Sequence, residues 1–198
     1  MKADELNKTL NEIEKAVNLL KKRQNLFMSN PDFMLEKRDR SAPHLEIERK
    51  FLVLNDSYKK EAFSHSHIVQ GYICNDNKRT VRVRIRDDRA YLTIKSPTPE
   101  GGLPCNEFEI EIELEEGKQL MKICEPGIID KVRWLVKCGK HTFEVDEFSC
   151  DNEGLVMAEV ELSSVDEQVE IPNFIGQEVT GDRRYFNSQL RKHPYKTW

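Results

Sequence analysis

The sequence of 198 residues lacks the signatures of several large protein classes. It contains no GxxxxGK[ST] loop, which argues against a P-loop NTPase. Its five histidines form no HExxH pair, and no Ser/His/Asp or Cys/His constellation of a nucleophilic enzyme can be picked out. No apolar run approaches the ~20 residues that span a bilayer, and the first residues, MKADELNK, lack the apolar stretch of a signal peptide.

Cysteine and excess charge of one sign are also scarce. The five cysteines are scattered without a CxxC pair, which argues against a disulfide framework or a structural zinc site and favours a reducing, cytoplasmic location. Charged residues make up 33% of the chain, yet the net charge is only −4. Because nucleic-acid and membrane-surface binders need a net basic face, we expect neither partner.

Residues 1–44 form the first of two predicted regions. Residues 4–28 are predicted to be a helix, and residues 29–44, with two prolines and many charges, a linker or irregular strap. The helix could pack on its own domain or join two subunits, so both a monomer and a homodimer remain open. Its apolar stripe has heptad spacing over fewer than three heptads, at Leu6, Leu10, Ile13, Val17 and Leu20.

From residue 45 to residue 198, apolar and polar residues alternate with a period of two in several segments, which is typical of antiparallel β structure. Short helices are predicted at Ser57–Phe63, Glu116–Cys124 and Asp182–Lys192. About eight strands are needed for a closed barrel that holds one small ligand. Eight extended segments are predicted, at Leu45–Leu54, Ile68–Cys74, Thr80–Asp87, Ala90–Lys95, Asn106–Leu114, Ile129–Lys137, His141–Phe148 and Leu155–Leu162.

The residues that alternate with the apolar positions are charged and grouped by sign. Arg82, Arg84 and Arg86 share one face of the third segment, and four glutamates between 107 and 113 share one face of the fifth. An ordinary water-exposed sheet face would explain any one such strand. Because like charges destabilise an exposed sheet, the single-sign runs favour a ligand or a metal that supplies the countercharge.

The residue types indicate the chemistry. The carboxylates of Glu46 and Glu48, together with those of Glu159 and Glu161, suit a hard divalent cation such as Mg²⁺ or Mn²⁺. Rows of Arg and Lys suit a polyanion, since arginine can bind phosphate oxygens bidentately. Both sets in one cavity predict a metal bridged to a phosphate chain, which a metal-activated water could attack.

Eight collinear motifs resemble one family. EIERKF at 46–51 is similar to the ExExK signature of the CYTH domain, in the triphosphate tunnel metalloenzyme superfamily. The ending EVTGDRRYFNSQL at 178–190 resembles the inorganic triphosphatase-like branch. Cys105 stands where many relatives carry arginine, and Ser96 where a glycine is frequent. The other matches are RVRI at 82–85, LTIK at 92–95, EFEIEI at 107–112, KVRW at 131–134, FEVDEF at 143–148 and AEVEL at 158–162.

The resemblance implies a mainly β (α+β) fold, an eight-stranded antiparallel closed β-barrel forming a triphosphate tunnel, with peripheral helices and here an extra N-terminal helix. It implies catalytic roles for Glu46, Glu48 and Lys50, and metal binding by Glu46, Glu48, Glu159 and Glu161. Glu109, Glu111, Glu144 and Asp146 would support the site from deeper in the tunnel. The triphosphate would be bound by Lys50, Arg82, Arg84, Lys95, Lys131, Arg133 and Arg183.

The expected activity is metal-dependent hydrolysis of inorganic tripolyphosphate to pyrophosphate and phosphate. The alternatives are a class IV adenylyl cyclase, an organic (thiamine or nucleoside) triphosphatase, and a non-catalytic polyphosphate- or nucleotide-binding module. A cyclase needs a base-recognition pocket, and the sequence shows no clear motif for one. A non-catalytic module should have lost a metal-binding glutamate, but all four are present.

Overall fold

The structure is a computed structural model that describes residues 47–76, 79–96 and 106–198. The predicted N-terminal helix and linker, together with Glu46 and Cys105, lie outside the described residues. The described residues form a mainly β fold with a few short helices. Its strands are β1 (Ile47–Val53), β2 (Ala62–Asn75), β3 (Thr80–Arg86), β4 (Arg89–Ser96), β5 (Asn106–Ile112), β6 (Ile129–Cys138), β7 (His141–Phe148), β8 (Val156–Leu162) and β9 (Ile175–Glu178).

The strands form one antiparallel sheet in the order β5-β4-β3-β2-β6-β7-β8-β1-β9. The pairing of β2 with β6 and of β1 with β8 brings together segments that are distant in the sequence. Within the described part of the chain, no pairing joins β5 to β1 or β9. The antiparallel mainly β architecture is therefore confirmed, whereas closure into a barrel is not seen in this strand pairing.

The eight predicted segments correspond to β1 to β8, and β9 was missed. β9 has only four residues and follows Pro172 and Asn173, so it is too short to show a period-two pattern. β2 begins at Ala62, six residues before its predicted start, because the helix α1 (Tyr58–Glu61) is only one turn long.

The two later helices also differ from their predicted bounds. α2 (Leu114–Met121) begins earlier than predicted because Glu113 and Glu116 form a reciprocal capping box there. The predicted helix at Asp182–Lys192 is divided into a 3-10 turn, Arg183–Tyr185, and α3 (Asn187–Leu190), because Phe186 between them has an extended backbone. No helix in the described ranges is long and apolar enough to cross a membrane.

One face of the sheet is apolar. Near β1, β7 and β8, its buried side chains include Phe51, Phe143 and Val160, which pack with Tyr58 of α1 and Phe174. Near β3, β4 and β5, Val83 and neighbouring side chains pack against Leu114, Leu120 and Met121 of the α2 region. This apolar face contributes most of the hydrophobic core, which leaves the opposite face for polar side chains.

The opposite face carries the charged side chains, and we call it the charged face. Apolar residues interrupt it at one end, where Ile129, Phe148 and Met157 pack with Tyr185 and Leu190 of the C-terminal segment. Gly127, just before β6, lies against this segment: a Cβ atom at that position would be only 2.2 Å from the carbonyl oxygen of Arg191. The charged face is therefore covered at this end by the C-terminal segment.

Candidate active site

The candidate site lies on the charged face, and the strand register assembles it. Across β8 and β1, Glu161 lies opposite Glu48, and Glu159 lies opposite Lys50. Side chains at directly paired positions of antiparallel strands project to the same side of the sheet. We call the charged face of β1, β6, β7 and β8 the acidic half, after its carboxylates, and that of β2, β3, β4 and β5 the basic half, after its arginines.

In the acidic half, the ammonium group of Lys50 lies between two carboxylates. Its Nζ is 2.8 Å from Glu48 Oε1 and also hydrogen-bonds Glu159 Oε1. Burial opposes the charged form of Lys50, but Glu159 and Glu48 raise its pKa above the ordinary value. Burial likewise opposes ionisation of Glu159, yet Lys50 and other nearby cations hold the pKa of that carboxyl below its usual value. Both groups are thus charged at neutral pH.

Arg133 links this pair to a second buried cluster. Its Nε and Nη2 donate to the two oxygens of Asp146, each at 2.7 Å, while Nη2 also lies 3.3 Å from Glu159 Oε2. Nη1 donates to Glu144. Although Asp146 is fully buried, the cations Arg133 and Lys131 hold the pKa of its carboxyl well below the usual value. The donors of Arg133 are therefore used within the protein.

Lys131 is the least compensated cation of this cluster. Its Nζ donates to Asp146 Oδ2 at 2.5 Å and lies over the ring of Phe148. Burial lowers the pKa of Lys131 to about 8, with a further contribution from the neighbouring charge of Arg133. Asp146 cannot fully offset these effects because Arg133 binds the same carboxylate bidentately. Lys131 therefore titrates close to neutral pH.

A cavity of about 410 Å³ opens beside the carboxylates of the acidic half. Four glutamates of the charged face, Glu48, Glu144, Glu159 and Glu161, line it. Its rim includes Lys140, His141 and Glu167. The side chain of Glu167 receives hydrogen bonds from Lys140, at 2.5 Å, and from the backbone of Ser163, and it lies 3.2 Å from His141 Nε2. The rim is thereby tied to the segment that follows β8.

The donor set in this cavity fits a divalent cation. Carboxylate oxygens are the ligands that Mg²⁺ and Mn²⁺ prefer, and the ammonium of Lys50 already occupies a cationic position between Glu48 and Glu159. Among the described residues, no three Asp, Glu, His or Cys side chains are already arranged as a metal site. Glu46, the remaining predicted metal ligand, lies outside those residues.

The basic half contains a cation of a different kind. Arg84 is half-buried, its buried Nε has no hydrogen-bond partner, and no ion pair joins it to a residue of the described chain. Burial, together with the charges of Arg82 and Arg133, lowers the pKa of Arg84 to about 10, while Glu109 and Asp146 act in the opposite direction. The positive charge of Arg84 is therefore only partly compensated within the described protein.

Arg82 lies beside Arg84 on β3 and belongs to a polar row across three strands. Its register partner on β4 is Thr93, and the partner of Thr93 on β5 is Glu109. Arg82 Nη2 donates to Thr93 Oγ1 at 3.1 Å, and Thr93 donates to Glu109 Oε2 at 2.7 Å. Lys95 shares this face of β4 and is near enough to Tyr72 to lower the pKa of the phenol, which burial raises more strongly.

Several predicted site residues are placed differently from expectation. Glu111 lies at the exposed end of β5, where it pairs with Arg89, so it is not deep in the site. The side chains of Glu109 and Glu144 are 37% and 31% exposed, whereas Asp146 is fully buried. Strand parity fixes the face of a side chain but not its depth along the strand, which explains the difference.

Arg183 lies in the exposed 3-10 turn, and no ion pair joins it to the charged face within the described ranges. The charged face also includes three residues that were not assigned to the site from the sequence, Gln70, Tyr72 and Thr93. All three are buried. Their period-two positions in β2 and β4 were the available signal, but uncharged side chains gave no reason to choose them.

Comparison with known proteins shows which family the chain is similar to. A model of the CYTH domain matches residues 44–190. The inorganic triphosphatase of Acetivibrio thermocellus is 44% identical over 154 residues, covering 77% of this chain and 97% of that protein. The inorganic triphosphatase of Nitrosomonas europaea is 33% identical over 149 residues, covering 73% of this chain and 95% of that protein.

The fold agrees with these relatives. The crystal structure of the inorganic triphosphatase NE1496 matches with a TM-score of 0.54 at 31% identity, covering 74% of this chain and 93% of that one. The family match spans the charged strands β1 to β8 and the C-terminal segment that covers one end of the charged face. The chain belongs to the CYTH-domain family.

Proposed function

We propose that this protein hydrolyses inorganic tripolyphosphate to pyrophosphate and phosphate on its charged face. The observation that carries the proposal is the half-buried guanidinium of Arg84, which has no ion pair in the described protein. Its charge is only partly offset by Glu109 and Asp146, and the other half of the charged face has carboxylates that suit a metal. A small polyanion with bound metal supplies both missing charges. The two inorganic triphosphatases that resemble the chain support the same substrate.

The basic side chains would bind and orient the substrate. Arg82 and Arg84 would hold phosphate oxygens on the basic half, while Lys50 and Lys131 would reach them from the acidic half. Arg133, whose donors are used by Asp146, Glu144 and Glu159, would chiefly keep those carboxylates in place. We propose further phosphate contacts for Lys95 and Arg183, the latter after movement of its exposed turn.

The acidic half would hold the metal. CYTH triphosphate tunnel enzymes depend on a divalent metal, and Mg²⁺ or Mn²⁺ is our proposal here. Glu48, Glu159 and Glu161 would be ligands, joined by Glu46. A bound ion would supply positive charge to the phosphate chain and lower the pKa of the attacking water. Glu109, Glu144 and Asp146 would orient the neighbouring cations, and Glu111 would act only through Arg89.

We also propose that the sheet curls into a tunnel. Arg133 on β6 bonds Glu159 on β8 across the intervening strand β7, and the charge of Arg133 reaches Arg84 on β3. Both observations indicate a concave charged face. The division into residues 1–44, with an N-terminal helix, and a CYTH domain over 45–198 remains a proposal, as do the cytoplasmic location and a monomeric or homodimeric state.

A substrate panel tests the function. Phosphate release from tripolyphosphate, ATP and thiamine triphosphate is measured with Mg²⁺, with Mn²⁺ and with a chelator. We expect metal-dependent release, fastest from tripolyphosphate, and none with the chelator. Formation of cyclic AMP and pyrophosphate from ATP would replace the proposal with a cyclase. Metal-independent binding of tripolyphosphate without turnover of any substrate would identify a binding module.

A further inference from the structure

Two uncharged polar side chains of β2, Gln70 and Tyr72, are buried on the charged face. Their register partners on β3 are Arg84 and Arg82, so the four side chains project to the same side of the sheet. Gln70 is fully buried, and Tyr72 is only 5% exposed. The fold thus places two neutral hydrogen-bonding groups beside the arginines of the basic half.

The hydrogen bond between Gln70 and Tyr72 has a defined direction. Gln70 Nε2 donates to the hydroxyl oxygen of Tyr72 over a long 3.4 Å, so the amide uses a lone pair of the phenol and leaves its proton unused. Within the described chain, no acceptor is bonded to that proton. Gln70 Oε1, at the other end of the same amide, is buried and has no hydrogen-bond partner either. The hydroxyl proton of Tyr72 is therefore available to a ligand.

The phenol of Tyr72 is neutral although its surroundings are cationic. Burial raises the pKa of Tyr72, and this effect exceeds those of Arg82, Arg84, Arg191 and Lys95, which all act to lower it. The guanidinium of Arg191 lies 5.4 Å from the centre of the tyrosine ring. An anion attracted by these cations would therefore meet a protonated hydroxyl, which can donate one hydrogen bond to it.

We propose that Tyr72 binds the polyanion through its hydroxyl proton and that Gln70 is a positioning residue that directs this proton to the ligand. Because Gln70 donates to the hydroxyl oxygen, the hydroxyl proton must be donated elsewhere, and two such hydrogen bonds in series strengthen each other. The acceptor is a phosphate oxygen held beside Arg84. The inference rests on the proposed function for the identity of the anion, and it adds a neutral donor to the charged ones.

The first test is Tyr72→Phe, which keeps the ring beside Arg191 and removes the hydroxyl. Calorimetry in chelator measures the Kd for tripolyphosphate. We expect Kd to rise about tenfold, the effect of losing one hydrogen bond to a charged ligand. In the assay with metal, KM should rise by a similar factor, and kcat should change less than KM. An affinity equal to that of the wild type would overturn the proposal.

Tyr58→Phe is the matched control. Tyr58 is also a buried tyrosine, and its hydroxyl lies 3.4 Å from Glu147, but its ring packs with the core on the apolar face of the sheet. Loss of this hydroxyl should leave Kd and KM at their wild-type values. Thermal unfolding shows that both variants are folded. Equal losses of affinity in the two variants would contradict a contact between Tyr72 and the ligand.

The salt dependence of binding distinguishes a neutral donor from a cation, because salt screens the attraction between charges. Tyr72→Phe removes no charge, so its affinity should stay below that of the wild type by the same factor at every salt concentration. Arg84→Met removes a charge, so its deficit should shrink as salt is added. A deficit in Tyr72→Phe that shrinks in the same way would mean that the variant acts by disturbing the arginines, and would overturn the proposal.

Gln70→Met tests the positioning role, since it removes the amide at nearly constant side-chain length. Without the directing hydrogen bond, Kd for tripolyphosphate should rise about threefold. Because Gln70 acts through Tyr72, adding Gln70→Met to Tyr72→Phe should weaken binding no further. Gln70→Glu should bind more weakly than Gln70→Met, because a carboxylate accepts the proton of Tyr72 and repels the anion. Additive effects of Gln70→Met and Tyr72→Phe would contradict the positioning role.

Binding without turnover separates this inference from the proposed function, since no hydrolysis is expected in chelator. If the wild type binds tripolyphosphate but hydrolyses no substrate with metal, the proposed function fails, and the affinities of Tyr72→Phe and Tyr58→Phe still decide this inference. If the wild type hydrolyses tripolyphosphate and Tyr72→Phe binds it equally well, only this inference fails. A wild type that binds no tripolyphosphate would overturn both.

Discussion

The two halves of the charged face compensate their charges differently. On the acidic half, each buried cation meets a carboxylate, as in the contacts of Lys50 with Glu159 and of Arg133 with Asp146. On the basic half, Arg84 is half-buried without an ion pair in the described structure, and Arg82 contacts Glu109 at 3.4 Å and Thr93 at 3.1 Å. The cations of the acidic half are therefore compensated within the described protein, whereas those of the basic half fit the anion-binding role that we propose.

This comparison explains why the sheet tolerates single-sign runs. The arginines of β3 would repel one another on an isolated surface, and burial makes the cost larger at Arg84, whose pKa is lowered to about 10. Beside these arginines, Lys131 and Arg133 on β6 are hydrogen-bonded to Asp146 on β7, and this paired cluster stabilises the sheet. If a polyanion binds here as we propose, it would relieve this unfavourable electrostatic energy of the free protein.

Asp146→Asn gives the largest expected effect on stability. It leaves Arg133 and Lys131 without their shared buried carboxylate, and breaking a buried ion pair in this way costs about 3–5 kcal/mol. Urea unfolding measures the change. The control Glu153→Gln, which removes an exposed partner of Lys196, should leave the unfolding midpoint nearly unchanged. Equal effects of the two variants would show that the cluster does not stabilise the fold.

Glu48→Gln should abolish most turnover while leaving the fold intact. The amide keeps the shape of the side chain but removes a charged metal ligand, and we expect at least a hundredfold loss in kcat, about 2.7 kcal/mol of transition-state stabilisation. Phosphate release from tripolyphosphate measures it, again beside Glu153→Gln. Wild-type turnover in Glu48→Gln would place the metal elsewhere.

Arg84→Met should have opposite effects on stability and on binding. Removing a half-buried charge without an ion pair should stabilise the free protein by about 1 kcal/mol, whereas the affinity for tripolyphosphate should fall about tenfold. Unfolding in urea and calorimetric binding measure the two quantities. Arg79→Met, at an exposed position in the β2–β3 turn, serves as the control. A destabilised Arg84→Met would mean that the arginine is compensated after all.

The smallest of these expected effects is a pH dependence of tripolyphosphate binding that arises from Lys131. Its pKa is about 8, so it carries a charge below that pH and loses it above. Binding of tripolyphosphate in chelator should therefore weaken between pH 7 and 9. The variant Lys131→Gln should bind tripolyphosphate more weakly at pH 7, and its affinity should fall less between pH 7 and 9. This difference separates the titration of Lys131 from that of tripolyphosphate, which both proteins share. A parallel decline in both proteins would assign the effect to another group.

Much of the charged face could be predicted from the sequence, but its internal pairing could not. The motifs identified Lys50, Arg84 and Asp146 as residues of one site, and the structure places them on one face. Glu111 was assigned to the same site, yet it pairs with Arg89 at the exposed strand end. Thr93 shares its predicted strand face with Lys95 but was given no role in the site, because its side chain is uncharged.

The sequence by itself determined which side chains share a face, because side chains alternate with a period of two in any β-strand. It also determined the family, through motifs spread over most of the chain. Only the tertiary structure decided which charges are paired. That outcome depends on register and on the long-range pairings β2–β6 and β1–β8, which bring Lys50 to Glu159 and leave Arg84 without an ion pair in the described chain. Local sequence cannot fix such distances, since they are set between strands far apart along the chain.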